Sequence, residues 1–206
     1  MICLANIYLV RHGETEWNNK RIMHGQTDIP LNSTGEKQAK LLGVELKNVP
    51  IDICFCSTLQ RAVKTAEAIL KYHKDCPIIY DERLMEIYKG DLEGTLNSSE
   101  AILKTEPLEV LMKHNIESKA HYFLRVKEFY DEILPQYKDN NILVVSHSGT
   151  VKMSLFYFNP PEKDIVSEYY NLHIRNCSVK RVDNKMPTRI PLLREYNVDK
   201  NKYPLI

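Results

Sequence analysis

Asn6-Ile7-Tyr8-Leu9-Val10-Arg11-His12-Gly13-Glu14-Thr15 and Asn141-Ile142-Leu143-Val144-Val145-Ser146-His147-Ser148-Gly149-Thr150 share one layout. Each is a short apolar, β-prone run that ends in one polar residue, a histidine and one small residue. Runs of this kind, without polar alternation, read as strands buried on both faces. In open parallel sheets, ligands bind in the crevice beyond the carboxyl ends of the strands. Both histidines sit at such ends, so they can converge on one site although 135 positions separate them.

Working outward, strand and helix patterns alternate. A helix is expected over 34–47, with Ser33 and Glu36 at capping-box spacing and Ala39, Leu42 and Leu46 on one face. A strand follows over 51–56, where Cys54 and Cys56 share a face. A second helix is expected over 58–72, with Leu59, Ala62, Val63, Ala66, Ile69 and Leu70 toward the core. Residues 78–80 form a short strand. Residues 97–134 read as two helices, with Pro107 inside the first region and Pro135 closing the second. A helix over 150–158 stops at Pro160-Pro161. Strands over 171–174, 178–182 and 192–195 finish the chain, and the residues from 197 onward read as peripheral. Alternation of this type implies an α/β fold: a mostly parallel central sheet with helices on both faces, in three α/β/α layers. One domain spans 1–206, a length one core can serve, with 95–135 read as a helical lid over the pocket.

Composition narrows the function classes. The chain carries 28 basic and 27 acidic residues, a net charge of +1, so no global field draws it to nucleic acid or a membrane. Positive charge that holds an anionic substrate must therefore be local. Five cysteines, an odd count, argue against a complete disulfide framework and for a reduced, cytoplasmic protein. The first ten residues lack a basic n-region and are too short to span a bilayer.

The chemistry concentrates in a few segments. A lone histidine after a strand is more often structural than catalytic, but His12 stands between Arg11 and Gly13. Arginine supplies a planar fork matched to phosphate oxygens, and glycine permits close backbone approach. Arg61 lies near the start of its helix with Ser57 four residues before it and Thr65 four after, on one polar face where the helix dipole favours anions. Asn18 and the turn Met23-His24-Gly25-Gln26 can donate to a phosphate, although an isolated loop Asn is usually a turn residue. Glu86 opens a loop containing Gly90 and Gly94. A carboxyl there can act as general acid, and partial burial would raise its pKa toward the operating pH. Five of the seven glycines, Gly13, Gly25, Gly90, Gly94 and Gly149, fall in these segments.

These residues resemble the signature of the histidine phosphatase superfamily, the cofactor-dependent phosphoglycerate mutase-like proteins. The likeness rests on Leu9-Val10-Arg11-His12-Gly13-Glu14-Thr15 with Trp17-Asn18. It continues in order through Ser57-Thr58-Leu59-Gln60-Arg61-Ala62, Leu84-Met85-Glu86-Ile87 with Gly90 and Glu93-Gly94, and Val145-Ser146-His147-Ser148-Gly149. It covers roughly residues 6–182. The resemblance implies a phosphohistidine on His12, a phosphate pocket of Arg11, Arg61 and His147 with Asn18 as a further donor, and Glu86 as proton donor; His24, Gly25 and Ser148 are further candidate phosphate contacts. It implies no metal, because the arginines and His147 supply the charge. The family often has Asp, Gln and Gly where Thr58, His24 and Ser148 stand.

The residues leave three readings. The first is a phosphatase acting on a small phosphorylated metabolite, without cofactor. The second is a phosphoglycerate mutase primed by 2,3-bisphosphoglycerate; that branch typically carries Arg-His-Tyr where this chain has Ile87-Tyr88-Lys89. The third is an inactive binding protein on the same fold. A zinc hydrolase on His12, His147 and Glu86 is opposed by Arg11 and Arg61, which would repel a metal. No nucleic acid or membrane partner is expected, and a homodimer is among the states the sequence allows.

Overall fold

The computed structural model describes residues 6–96, 103–183, 185, 187–196, 198–199 and 201–206. In chain order the elements are β1 (Asn6–Arg11), α1 (Glu16–Asn19), α2 (Ser33–Leu46), β2 (Ile53–Cys56), α3 (Gln60–Leu70) and β3 (Ile78–Tyr80). They continue with α4 (Leu108–Lys113), α5 (Lys119–Gln136), β4 (Ile142–Ser146), α6 (Ser148–Phe158), α7 (Ile165–Tyr169) and β5 (Val179–Asp183). The strands form one sheet in the order β3-β2-β4-β1-β5. The first four are parallel, and β5 closes the edge antiparallel to β1. The structure is thus the layered α/β fold expected, with one antiparallel edge.

Strand alternation builds two cores. Ile7, Leu9, Ile53, Phe55, Ile142 and Val144 face Phe123, Phe129, Val151 and Phe156 of α5 and α6. On the opposite face, Val10, Cys54, Cys56, Leu143 and Val145 meet Leu42, Leu46, Ala62, Ala66 and Ile69 of α2 and α3. Every residue of β2 and β4 is buried, as continuous apolar strands between two helical layers must be. Each fully buried aliphatic or aromatic side chain contributes about 1.5–3 kcal/mol. Cys54, Cys56, Cys76 and Cys177 are free thiols.

Several expectations are corrected. Asn32, not Ser33, caps α2, its Oδ1 accepting from Gly35 N at 2.8 Å. Pro107 stands before α4 as its cap, and Pro135 lies inside the last turn of α5, where Tyr137 N still bonds Ile133 O at 3.0 Å. The front of the first helix expected over 97–134 falls on 97–102, outside the described residues. No strand forms at 171–174 or 192–195, because β5 takes the edge of β1 directly. The short α7 was not foreseen; Asp164 starts it by accepting from Val166 N and Ser167 N. The lid expected over 95–135 differs most. Phe123, Val126, Phe129, Tyr130 and Ile133 make α5 a layer of the core, so it is not free to cover a pocket.

Candidate active site

The adjacency of β1 and β4 brings the two histidines together. Arg11 lies opposite Ser146 in register, and His12 N donates to Ser146 O at 2.9 Å. The rings of His12 and His147 stand 5.1 Å apart, tilted by 60°. His12 Nδ1 is 2.6 Å from Gly13 O, and a carbonyl can only accept. The network therefore assigns the proton to Nδ1 and leaves the Nε2 lone pair open. Burial, then the charges of Arg61 and Arg11, hold the His12 pKa well below its ordinary value. The ring is neutral.

His147 is held by two partners. Arg61 Nε donates to its Nδ1 at 3.2 Å, and its Nε2 lies 2.8 Å from Ser57 Oγ. Because Arg61 only donates, Nε2 carries the hydrogen. Burial and the neighbouring Arg61 push the His147 pKa far down. The expectation that His147 supplies positive charge is thus corrected: desolvation and cations leave it neutral.

The charge comes from guanidinium groups. Arg61 is fully buried, with Nη1 on Thr27 O and Nη2 on Gly25 O, both at 2.9 Å. Its pKa is pushed down to about 10, mainly by burial, so it stays charged at neutral pH. The polar face read from the sequence holds in part, since Ser57 precedes α3 while Arg61 and Thr65 lie on it: Thr65 Oγ1 donates to Arg61 O at 2.8 Å and accepts from Gly13 N at 3.1 Å. That side chain ties α3 to the loop after β1. Arg11 Nη1 donates to Ile174 O at 2.6 Å, while its buried Nε has no partner among the described residues. Buried donors are normally satisfied, and this N–H can donate to an acceptor.

Glu93 shapes the 24–27 turn. It accepts from Gln26 N and Thr27 N at 2.8 Å each, and from Lys89 N at 3.0 Å. Gly25 has φ +54°, and a Cβ there would lie 1.9 Å from Glu93 Oε1, so only glycine fits. His24 bonds Thr15 Oγ1, and its pKa falls to about 3 through burial and Arg61. Asn18 Oδ1 accepts from Thr15 N at 3.1 Å and from Asn176 Nδ2 at 3.2 Å. Its own amide hydrogens stay available as donors.

Glu86 is the carboxyl group on the cavity wall. Oε1 accepts from Ile87 N at 3.0 Å and Tyr122 hydroxyl at 2.8 Å; Oε2 accepts from Gly149 N at 3.1 Å. Burial pushes the Glu86 pKa up, as the sequence reading anticipated. The two backbone N–H groups, the Tyr122 hydroxyl and the Lys89 charge more than offset it, and the net direction is downward. The expected upward shift is therefore corrected.

A cavity of about 330 Å³ opens over these groups, lined by Arg11, Asn18, His24, Gly25, Glu86, Ser148 and Gly149. His12, Arg61 and His147 are buried against it, each bonded or adjacent in the chain to a lining residue. All nine residues named from the sequence thus meet at the carboxyl end of the sheet. Lys89, Lys152, Tyr169, Tyr170 and His173 also line the cavity, and sequence reasoning missed them as site residues. Lys152 Nζ lies 4.3 Å from the Tyr169 ring centroid. Of residues 103–135, none lines the cavity. Lys119 is buried in an ion pair with Glu106, 3.0 Å apart, and the Tyr122 hydroxyl bonds Glu86 Oε1 from behind the wall. Asn176, also missed, donates to His12 O at 3.1 Å; it follows a stretch misread as strand. Among the described residues, no three His, Cys, Asp or Glu side chains converge to hold a metal ion, and no helix is long and apolar enough to cross a membrane.

The family model for the histidine phosphatase superfamily (branch 1) matches residues 7–190. A Schizosaccharomyces pombe protein named "Probable phosphatase" is 33% identical over 156 residues, covering 74% of this chain and 72% of its own. A 2,3-bisphosphoglycerate-dependent phosphoglycerate mutase of Cytophaga hutchinsonii is 34% identical over 162 residues, covering 73% and 76%. The solved structure of Bacillus stearothermophilus YhfR superposes with a TM-score of 0.73 at 28% identity, covering 87% of this chain and 91% of that one.

Proposed function

The chain belongs to the histidine phosphatase superfamily (branch 1), and on that premise we propose that it hydrolyses small-molecule phosphomonoesters through a phosphohistidine on His12. The observation that carries the reading is the neutral His12 ring, its tautomer set by Gly13 O, beside the fully buried Arg61 guanidinium and the cavity-lining Arg11. The His12 Nε2 lone pair attacks phosphorus as the bond to the leaving oxygen breaks, and Glu86 gives that oxygen its proton. Water then attacks the phosphohistidine, Glu86 takes a proton from it, and the P–N bond breaks to release phosphate. Arg11 and Arg61 offset the charge on the equatorial oxygens, where one well-placed donor is worth about 10²–10³ in rate. His147, neutral and bonded to Arg61, orients that guanidinium. The bound phosphate adds like charge beside Glu86, which raises the pKa of its carboxyl toward that of a proton donor.

Lys89 and Lys152 on the cavity wall favour an esterifying group that is polar or anionic over a bare aliphatic one. The four described cysteines are free, in keeping with a reducing compartment such as the cytoplasm. A mutase is the second reading, favoured by the Cytophaga hutchinsonii relative; it alone would need 2,3-bisphosphoglycerate. Against it, Ile87 and Lys89 occupy the wall where the mutase branch has arginine and tyrosine. Incubation with 3-phosphoglycerate, with and without 2,3-bisphosphoglycerate, separates the two. Phosphate release is expected, and faster formation of 2-phosphoglycerate would overturn the phosphatase reading. A release screen over sugar phosphates, phosphoglycerates and nucleotides then names the substrate.

A further inference from the structure

The segment that carries Glu86 has little regular structure of its own. Residues 83–88 contain the end of one 3-10 turn, Glu82–Leu84, and no strand ladder. Their carbonyls are held instead by side chains. Ser146 Oγ donates to Leu84 O at 2.6 Å and Thr150 Oγ1 to Met85 O at 3.0 Å. The largest share falls to one residue of α5. Arg125 Nη1 donates to Arg83 O at 2.7 Å and to Met85 O at 2.9 Å, and its Nη2 donates to Glu86 O at 2.9 Å. Its remaining contacts lock it. Nε donates to Glu117 Oε1 at 2.7 Å and Nη2 to Glu117 Oε2 at 2.9 Å. The same Glu117 carboxylate accepts from Tyr88 N at 3.0 Å, two residues beyond Glu86, and from His121 Nδ1 at 2.8 Å. The guanidinium also lies 4.3 Å from the centroid of Tyr122, whose hydroxyl bonds Glu86 Oε1.

We propose that Arg125, clamped by Glu117, is the positioning residue for Glu86, fixing both the backbone that carries the carboxyl and the tyrosine that aims it. The inference rests on the reading of Glu86 as proton donor. Neither Arg125 nor Glu117 lines the substrate cavity, so their effect on the reaction passes through Glu86. Arginine is required because three carbonyls and a bidentate carboxylate need the planar five-donor fork; the three rotating hydrogens of lysine cannot meet them together.

The test compares the protein with Arg125→Lys, Glu117→Gln and Glu86→Gln on p-nitrophenyl phosphate and on an alkyl phosphomonoester such as glycerol 3-phosphate. General acid catalysis is worth about 10²–10⁴-fold for a poor leaving group and little for a good one. Glu86→Gln is expected to lose about that much kcat on the alkyl ester, with a far smaller loss on the aryl ester. Arg125→Lys and Glu117→Gln are expected to show the same selectivity at smaller size, in kcat rather than KM. Combining Arg125→Lys with Glu86→Gln should cost no more than Glu86→Gln alone, since both remove one function. Equal losses on both esters, or additive losses in the double variant, would overturn the proposal while a selective Glu86→Gln leaves the acid assignment standing. A non-selective Glu86→Gln would remove both. If Arg125→Lys does not fold, the same criteria apply to Glu117→Gln, which keeps the volume of the side chain.

Discussion

Gly149→Ala tests the acid site through a single added methyl group. A Cβ at Gly149 would stand 2.2 Å from Glu86 Oε1, 2.5 Å from the Tyr169 hydroxyl and 2.7 Å from the Tyr122 hydroxyl. Ordinary contact begins near 3.4 Å, so Oε1 has to withdraw by about 1.2 Å. Oε1 is held by Ile87 N and the Tyr122 hydroxyl, and Oε2 by Gly149 N itself, so that retreat breaks the hydrogen bonds that set the carboxyl. Misplacement of a catalytic group by about 1 Å can cost about 10²-fold. The expected result is a loss of that order in kcat on an alkyl phosphomonoester and a smaller loss on p-nitrophenyl phosphate, whose leaving group needs little protonation. Stability should move little. Alanine in place of glycine gains up to about 1 kcal/mol of helix propensity in α6, against about 1–3 kcal/mol for overpacking. The net shifts Tm by a few degrees, as about 2–4 °C per kcal/mol applies to a chain of this size. Steady-state kinetics on the two esters with a thermal melt decide it. Unchanged turnover of the alkyl ester would show that Glu86 does not act from where it lies.

Three further outcomes follow from the same geometry. His12→Ala should abolish turnover, and acid-labile phosphoprotein, trapped on rapid mixing of the unaltered protein with substrate, should be missing; residual phosphorylation of the variant would point to another nucleophile. Arg61→Ala should raise the barrier by about 2.7–4 kcal/mol, read as kcat; near-normal kinetics would show that its charge is spent on Thr27 O, Gly25 O and His147 alone. His12, His24 and His147 are held below the ordinary histidine pKa. Their contribution to stability is complete above about pH 6.5 and declines as pH falls, because only the unfolded chain takes up those protons, at up to about 1.4 kcal/mol per pH unit for each ring. A urea midpoint that stays flat between about pH 7 and 5 would refute the neutral, buried assignment.

Much of the site was legible in the sequence because its parts lie at strand ends and helix starts, where local pattern and chemistry coincide. Arg11-His12-Gly13 and His147-Ser148-Gly149 follow apolar strands, and Arg61 and Thr65 fall on one face of α3, with Ser57 in the turn before it. What escaped has no such local mark. Asn176 acts through His12 O and Asn18 Oδ1, 164 and 158 positions away, in the loop between two stretches read as strands. Tyr169 stands on a helix of five residues between prolines and a loop, too short to show a period. Residues 119–136 were assigned the wrong task because their polar residues were read as a pocket roof, while their apolar face is wide enough to pack on the sheet.

The sequence by itself determined the strand–helix alternation as far as α6, the layered α/β class and the nine residues that meet at the cavity, since hydrophobic period and residue chemistry are local properties. Protonation and charge were decided only by tertiary structure. His147 is neutral because burial and Arg61 surround it, and the Glu86 pKa goes down because two backbone N–H groups, a hydroxyl and a lysine outweigh the burial that raises it. Solvation and hydrogen bonding depend on which distant segments meet, and that is settled when β4 pairs with β1 and α5 closes over the Glu86 loop.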